Sequence, residues 1–388
     1  MNHRQRFSAT MRYQSRDRIP MFDFGYWDET INAWHAQGLP AEVKKENIFK
    51  YFGLDFNLSI PSKDFPGVTF ATGTEMGLVP RFEEIIIEDR EDEQIIQQSD
   101  GVRVLRKKHH DTIPLHIGHL LEDRDSWQKH YKPRLDPAHP ERMPVDLAEC
   151  VAAWQDPQHG ELIIPWVGGL YGWLRDWMGV EKLSYVMYDD RPWFEEMVAT
   201  VADCIYGTLE RLLSVGARVD ACAFWEDMCY NAGPLISPRV FKQVLVPHYR
   251  RITDLLHRHG VDIVWVDCDG KIDLLIPLWM EAGINCMFPL EIGTWNADPL
   301  AYRQTYGRDL LLMGGFDKRI LAGTPDDILR EIDRLAPLVE EGGYIPFCDH
   351  LVPPGVSLAN YIYYLECARE IWCNDVNLNP MGAVQAKP

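Results

Sequence analysis

The chain has 388 residues, enough to bury a full hydrophobic core without disulfides or a structural metal. Lys and Arg number 39 against 58 Asp and Glu, a net charge of −19. That sign excludes nucleic acid as a partner and argues against anionic membrane surfaces, because both need cations to neutralise phosphate. The uncharged stretch 162–174 has 13 residues, short of the ~20 that span a bilayer. The opening segment lacks the apolar core of a secretion signal, and nine scattered cysteines are an odd number. Together these predict free thiols, a cytoplasmic location and no membrane attachment. Thirteen tryptophans are an excess that predicts either large core fillers or aromatic-walled pockets.

In chain order, a short helix runs from Asn2 to about Tyr13. The apolar run Met21-Phe22-Asp23-Phe24 then predicts a first buried strand. Residues 26–56 read as helical and irregular. From Val68 to about Arg106 the pattern alternates, as in Phe82–Glu88, with a turn at Ser99-Asp100-Gly101. This predicts an antiparallel β insertion over about 65–120. Residues 120–160 are polar and rich in proline, with no clear period.

After Glu161 a regular rhythm begins. Strand Leu162–Val167 precedes Gly168-Gly169 and a Trp-rich helix, and Asp190-Arg191-Pro192 caps a long helix reaching Gly216. Strands follow at Val219–Trp225, Val261–Val266, Ile284–Pro289, Leu310–Met313 and Tyr344–Cys348, with helices between them. Alternation of this kind makes parallel βαβ units. The number of units, the lack of a GxGxxG fingerprint and the polar residues at strand C-termini favour a (β/α)8 TIM barrel, with an N-terminal helical segment and the β insertion inside a single domain.

Catalysis in barrels sits at the C-terminal strand ends. Those ends carry Asp23, Glu226-Asp227, Asp267-Cys268-Asp269, Glu291, Asp317-Lys318-Arg319 and Cys348-Asp349-His350. So many carboxylates on one rim require a counter-charge: a metal, Lys318 or Arg319, or raised pKa values. Residues two apart on a strand share a face, so Asp267 can converge with Asp269 and Cys348 with His350. A zinc site drawn from Asp267 or Asp269, Glu226 and one of Cys348 or His350 is one reading; helix caps and a buried small thiol are the other. Gly168-Gly169-Leu170-Tyr171-Gly172 lacks a Walker lysine and reads as a strand-to-helix turn. The histidines of His109-His110-Asp111 and of 116–119 fall near the insertion.

The segments EDMCYNAGPLISP, VDCDGKIDLLIPLWMEAGIN, MGGFDKR and GGYIPFCDHLVPPGVSLANY resemble the uroporphyrinogen decarboxylase superfamily, which also contains zinc- and corrinoid-dependent methyltransferases. The opening helix and Asp17-Arg18-Ile19-Pro20 resemble the family's start. Uroporphyrinogen decarboxylases hold an acidic tetrapyrrole with an Arg-rich segment after the first strand, where this chain has Phe24–Thr30 without arginine. In the methyltransferase branch a His-x-Cys pair and a late Cys bind zinc, and these fall on Asp267, Asp269 and Cys348 or Asp349.

The resemblance therefore implies a corrinoid-linked, zinc-dependent methyltransferase acting on a small methylated compound such as a methoxylated aromatic. The corrinoid would reside on a partner protein. The alternative is a metal-free lyase of a small carboxylated substrate, in which Asp267 protonates a carbanion-like centre. Lys318 beside Asp317 is a charge clamp or proton donor. Tyr26, Trp27, Trp166, Arg175, Trp225 and Arg319 are the expected substrate contacts. The metal would draw on Glu226, Asp267, Asp269, Cys348 and His350. A homodimer is compatible with the family.

Overall fold

A computed structural model describes residues 1–57, 68–69, 73–108 and 114–374. The His109-His110-Asp111 stretch noted near the insertion lies outside the described residues. The chain forms two compact units. The first comprises 1–71, 158–164 and 285–388, and the second 72–157 and 165–284.

In the first unit, Asn2 caps helix His3–Met11 through a reciprocal bond pair with Gln5. Strand Phe22–Asp23 pairs in parallel with Phe56–Asn57, and Val68–Thr69 with Leu162–Ile163. Strands Cys286–Leu290, Leu311–Gly314 and Tyr344–Ile345 are parallel neighbours in that order. Thr324 closes a capping box with Asp327 ahead of helix Pro325–Glu341, and Ser357 caps Leu358–Cys373.

In the second unit, strands Trp166–Gly168, Cys222–Trp225 and Val264–Asp267 run parallel. Their register places Ala223 opposite Trp166 and Trp225 opposite Asp267. Every residue of Val264–Asp267 is buried, as a strand covered on both faces requires. Asp190 caps the 24-residue helix Arg191–Ser214, with Pro192 in its first turn. The β insertion is a meander of four antiparallel strands, Ile85–Asp89, Glu93–Gln97, Val102–Lys107 and Leu115–His119. One face buries Ile96, Val102 and Val104.

Two expected elements are broken by proline. The strand expected over Leu162–Val167 is split at Pro165, which has no N–H for a ladder. The helical stretch between strands Cys222–Trp225 and Val264–Asp267 is divided just before Pro247, into Pro238–Val244 and Val246–Arg258. In the segment that carried no sequence period, fully buried Arg142 donates to the carbonyls of Glu75, Gly77, Arg134 and Asp136 at 2.6–2.8 Å. One side chain thus ties residues 132–142 to their neighbours, while their own regular structure is limited to two short 3-10 turns, Lys132–Leu135 and Pro140–Arg142. No helix among the described residues is long and apolar enough to cross a membrane.

Candidate functional site

The second unit carries the denser chemistry. Strand Cys222–Trp225 ends at Glu226, which is fully buried. Its carboxylate accepts from the N–H groups of Leu170, Tyr171 and Gly172 at 2.7–2.9 Å and from the Tyr249 hydroxyl. These N–H groups open helix Gly172–Met178. The glycine turn thus binds an anion, but one supplied by the chain itself. Burial pushes the Glu226 carboxyl up to about 6, and the four donors restrain the rise. Its lone pairs are committed, so its place is in the scaffold rather than among the metal ligands expected from the sequence.

The next residue, Asp227, takes a left-handed backbone with φ of 42°, so the chain bends sharply there. Oxygens of Asp227, Asp267 and Asp269 lie within 4.8 Å of one another. The Asp269 N–H donates to Asp227 at 3.1 Å. Burial raises the Asp227 carboxyl to about 6; the Asp269 charge adds to the rise and Arg175 opposes it. Arg175 supplies the counter-charge that the sequence demanded. Its guanidinium donates to the Asp227 carbonyl, lies 3.1 Å from Asp176 and 3.7 Å from the Asp227 carboxylate, and covers the Trp225 ring at 5.1 Å.

This trio offers carboxylate oxygens alone. Such a donor set suits a hard divalent cation, whereas zinc draws on imidazole and thiolate. His350 and Cys348 belong to the first unit. The Cys348 thiol is fully buried, and burial raises its pKa. The second unit's trio therefore does not fit zinc.

Two cavities open in the second unit. The larger, about 1020 Å³, is lined by Arg175, Asp176, Asp227, Cys229, His116 and His119 among others. His119 bonds through Nδ1 to the Asp176 carbonyl at 2.9 Å, and burial lowers its pKa. The smaller, about 440 Å³, is walled by Trp166, Trp173, Trp177 and Trp225 and edged by Glu75, Glu84, Asp100 and Asp176. Trp173 and Trp177 stack at 5.7 Å, one helical turn apart. Of the expected substrate contacts, Trp166, Trp225 and Arg175 thus line cavities. Trp173, Trp177, Asp176 and Glu75 join them without having been singled out. Only the tryptophan-rich helix signalled the first two, and nothing local marked the acids.

In the first unit, Lys318 lies 3.1 Å from Glu291 and 4.0 Å from Asp349. Burial works against its charge, but the two carboxylates outweigh it and raise its pKa. Asp349 also accepts from the N–H groups of Ile292 and Lys318, and burial still lifts it to about 6. Asp317 caps helix Lys318–Leu321 and forms an ion pair with Arg319 at 2.7 Å. The His350 ring packs on Phe24 at 4.9 Å. Asp23 is fully buried and accepts from the Tyr361 hydroxyl at 2.6 Å; that hydroxyl is 2.6 Å from Tyr26. Tyr26 is therefore a buried member of this chain of hydroxyls, and Trp27 precedes helix Asp28–Ala36 as its cap.

A family model described as Uroporphyrinogen decarboxylase (URO-D) matches residues 175–371. No curated protein matches the chain significantly. A solved structure described as a methyltransferase from Methanosarcina mazei is similar over 95% of this chain and 99% of its own, with 13% identity and a TM-score of 0.56. Another, a B12-independent methionine synthase from Shewanella sp. W3-18-1 in complex with selenomethionine, also has 13% identity. It covers 91% of this chain and 97% of its own with a TM-score of 0.43. The likeness to the Methanosarcina protein agrees with the α/β (β/α)8-barrel class expected from the sequence.

Proposed function

Because the chain belongs to the uroporphyrinogen decarboxylase family, we propose that it is a methyltransferase that removes a methyl group from a small substrate held in the tryptophan-walled cavity. The acceptor is a corrinoid carried by a separate protein. The observation that carries this reading is the charge of that cavity. Among the described residues four carboxylates edge it, and the one arginine lining it, Arg81, is tied to Glu75 at 2.6 Å. A polycarboxylate would be repelled there, whereas a small methylated compound meets indole walls of suitable size. The fold is also one that carries methyl transfer in the Methanosarcina mazei protein.

A corrinoid on that partner would supply the nucleophile, Co(I), when bound. The chain's own residues bind and orient the donor. Trp173 and Trp177 form one wall, and Trp225 is held in place by the Arg175 guanidinium over its ring. Arg175 in turn pins Asp176 at the cavity edge. Orientation of the methyl carbon and exclusion of water are the effects such walls supply.

The test is loss of Co(I) absorbance when the protein meets cob(I)alamin, free or bound to a corrinoid protein, with methoxylated aromatics, methylated amines, thioethers or methanol. Protein-dependent loss with one donor class is the expected result. No loss with any class, together with release of CO2 from a small carboxylic acid, would replace this reading with the lyase.

A further inference from the structure

The walls and the edge of the smaller cavity have opposite character, and that combination selects a ligand. Indole faces carry negative quadrupole potential and attract cations, best when the cation is large and weakly hydrated. Of the carboxylates at the edge, Glu75 is paired with Arg81 and Asp176 with Arg175, and Glu84 and Asp100 leave the edge net negative. A metal ion would pay heavily to shed its water against indole, and an anion would be repelled. A neutral methoxylated aromatic would find the indoles but bring no positive charge to set against Glu84 and Asp100. From this juxtaposition we infer that the cavity is an aromatic cage for a quaternary methylammonium group, so that the methyl donor of the proposed reaction is a cation of the choline or tetramethylammonium class.

The inference rests on the methyltransferase reading for its chemistry and on the cavity alone for its binding. The chemistry balances simply. The N–CH3 bond breaks heterolytically, the methyl carbon goes to the Co(I) nucleophile, and the electron pair remains on nitrogen as a neutral tertiary amine. That leaving group needs no proton and no Lewis acid, unlike an ether oxygen.

The walls are built to stay in place. Gly168 has φ of 69°, and a Cβ there would lie 1.8 Å from the Trp173 ring, so the indole packs directly on backbone. The Arg142 bonds to the Glu75 and Gly77 carbonyls hold the opposite edge.

The experiment is titration of the full-length protein with choline, tetramethylammonium, 3,3-dimethylbutan-1-ol (the neutral isostere of choline) and 3,4-dimethoxybenzoate. It is followed by tryptophan fluorescence and by calorimetry. Both cations are expected to bind saturably, and choline at least tenfold more tightly than its isostere. Trp225→Leu should weaken choline tenfold or more. Glu84→Gln, at an exposed position where folding is not at stake, should weaken choline several-fold and leave the isostere unchanged. Equal affinity for choline and its isostere, no saturable cation binding, or tighter binding of the dimethoxybenzoate would each overturn the cage. Cation binding without methyl transfer would uphold the cage and fail the methyltransferase. Transfer from a neutral ether without cation binding would do the reverse.

Discussion

Asp23 offers a sharp test of how burial sets charge in this protein. Its carboxyl is fully enclosed and pushed from 3.8 up to about 7, chiefly by desolvation, while the Tyr361 hydroxyl and the Phe24 N–H, at 2.6 and 2.9 Å, hold it back. A raised carboxyl binds its proton more tightly in the folded state than in the unfolded chain. The stability from that proton is complete below the unfolded pKa of 3.8 and is lost as pH rises through about 7. At ~1.4 kcal/mol per pKa unit, a shift of roughly three units corresponds to a loss of at most about 4 kcal/mol across that window. Asp23→Asn cannot ionise, so it removes this dependence. Its carbonyl oxygen still accepts from Tyr361, but its amide nitrogen faces the Phe24 N–H, at a cost of about 1 kcal/mol. In urea unfolding followed by circular dichroism, the variant should be about as stable as wild type at pH 4.5 and more stable, by about 3 kcal/mol, at pH 8. A difference that does not move with pH, or a variant weaker than wild type at pH 8, would mean that Asp23 is a stabilised anion and that the desolvation argument is wrong.

Two further outcomes follow from the second unit. Glu226→Ala strands three buried N–H groups and the Tyr249 hydroxyl, and should cost on the order of 4 kcal/mol. Calorimetry at pH 7 reads this directly, and an unchanged melting temperature would show that those donors find other partners. Gly168→Ala carries a positive φ, which costs about 1–2 kcal/mol in the backbone, and forces Trp173 out of place. The tryptophan emission maximum should shift and choline binding should fall; a spectrum identical to wild type would contradict the packing of Trp173 on Gly168.

Much of this arrangement was legible in the sequence because it is local. Helix caps such as Asn2, Ser237, Thr324 and Ser357 announce themselves within four residues, and alternation of strands with helices sets the fold class. The β insertion showed as a change of period near Val68. What stayed hidden depends on partners distant in the chain. Nothing near Glu226 says that Leu170–Gly172 and Tyr249 will surround it and so withdraw it from metal binding. Nothing near Asp23 points to Tyr361. Asp176 looks like one more helical acid until Arg175 and two cavity walls meet at it. The tryptophans lay between these cases: Trp166 and Trp225 are marked by their strand ends, whereas Trp173 and Trp177 acquire meaning only from the strand and turn packed beside them.

The glycines around Glu226 have an evolutionary consequence. A Cβ on Gly169 would lie 2.0 Å from the Trp225 carbonyl and 2.7 Å from the Glu226 carboxylate, and one on Gly172 would lie 2.8 Å from the same carbonyl. Neither glycine tolerates a side chain while Glu226 occupies its cradle, and the cradle cannot form if either gains one. The Glu226 cradle therefore depends on two glycines more than fifty positions away, while those glycines are fixed by backbone as well, since the Trp225 carbonyl bars a Cβ at each. A descendant that lost the glutamate would still be barred from a side chain at either glycine by the Trp225 carbonyl, and would have room at that turn for an anion from outside.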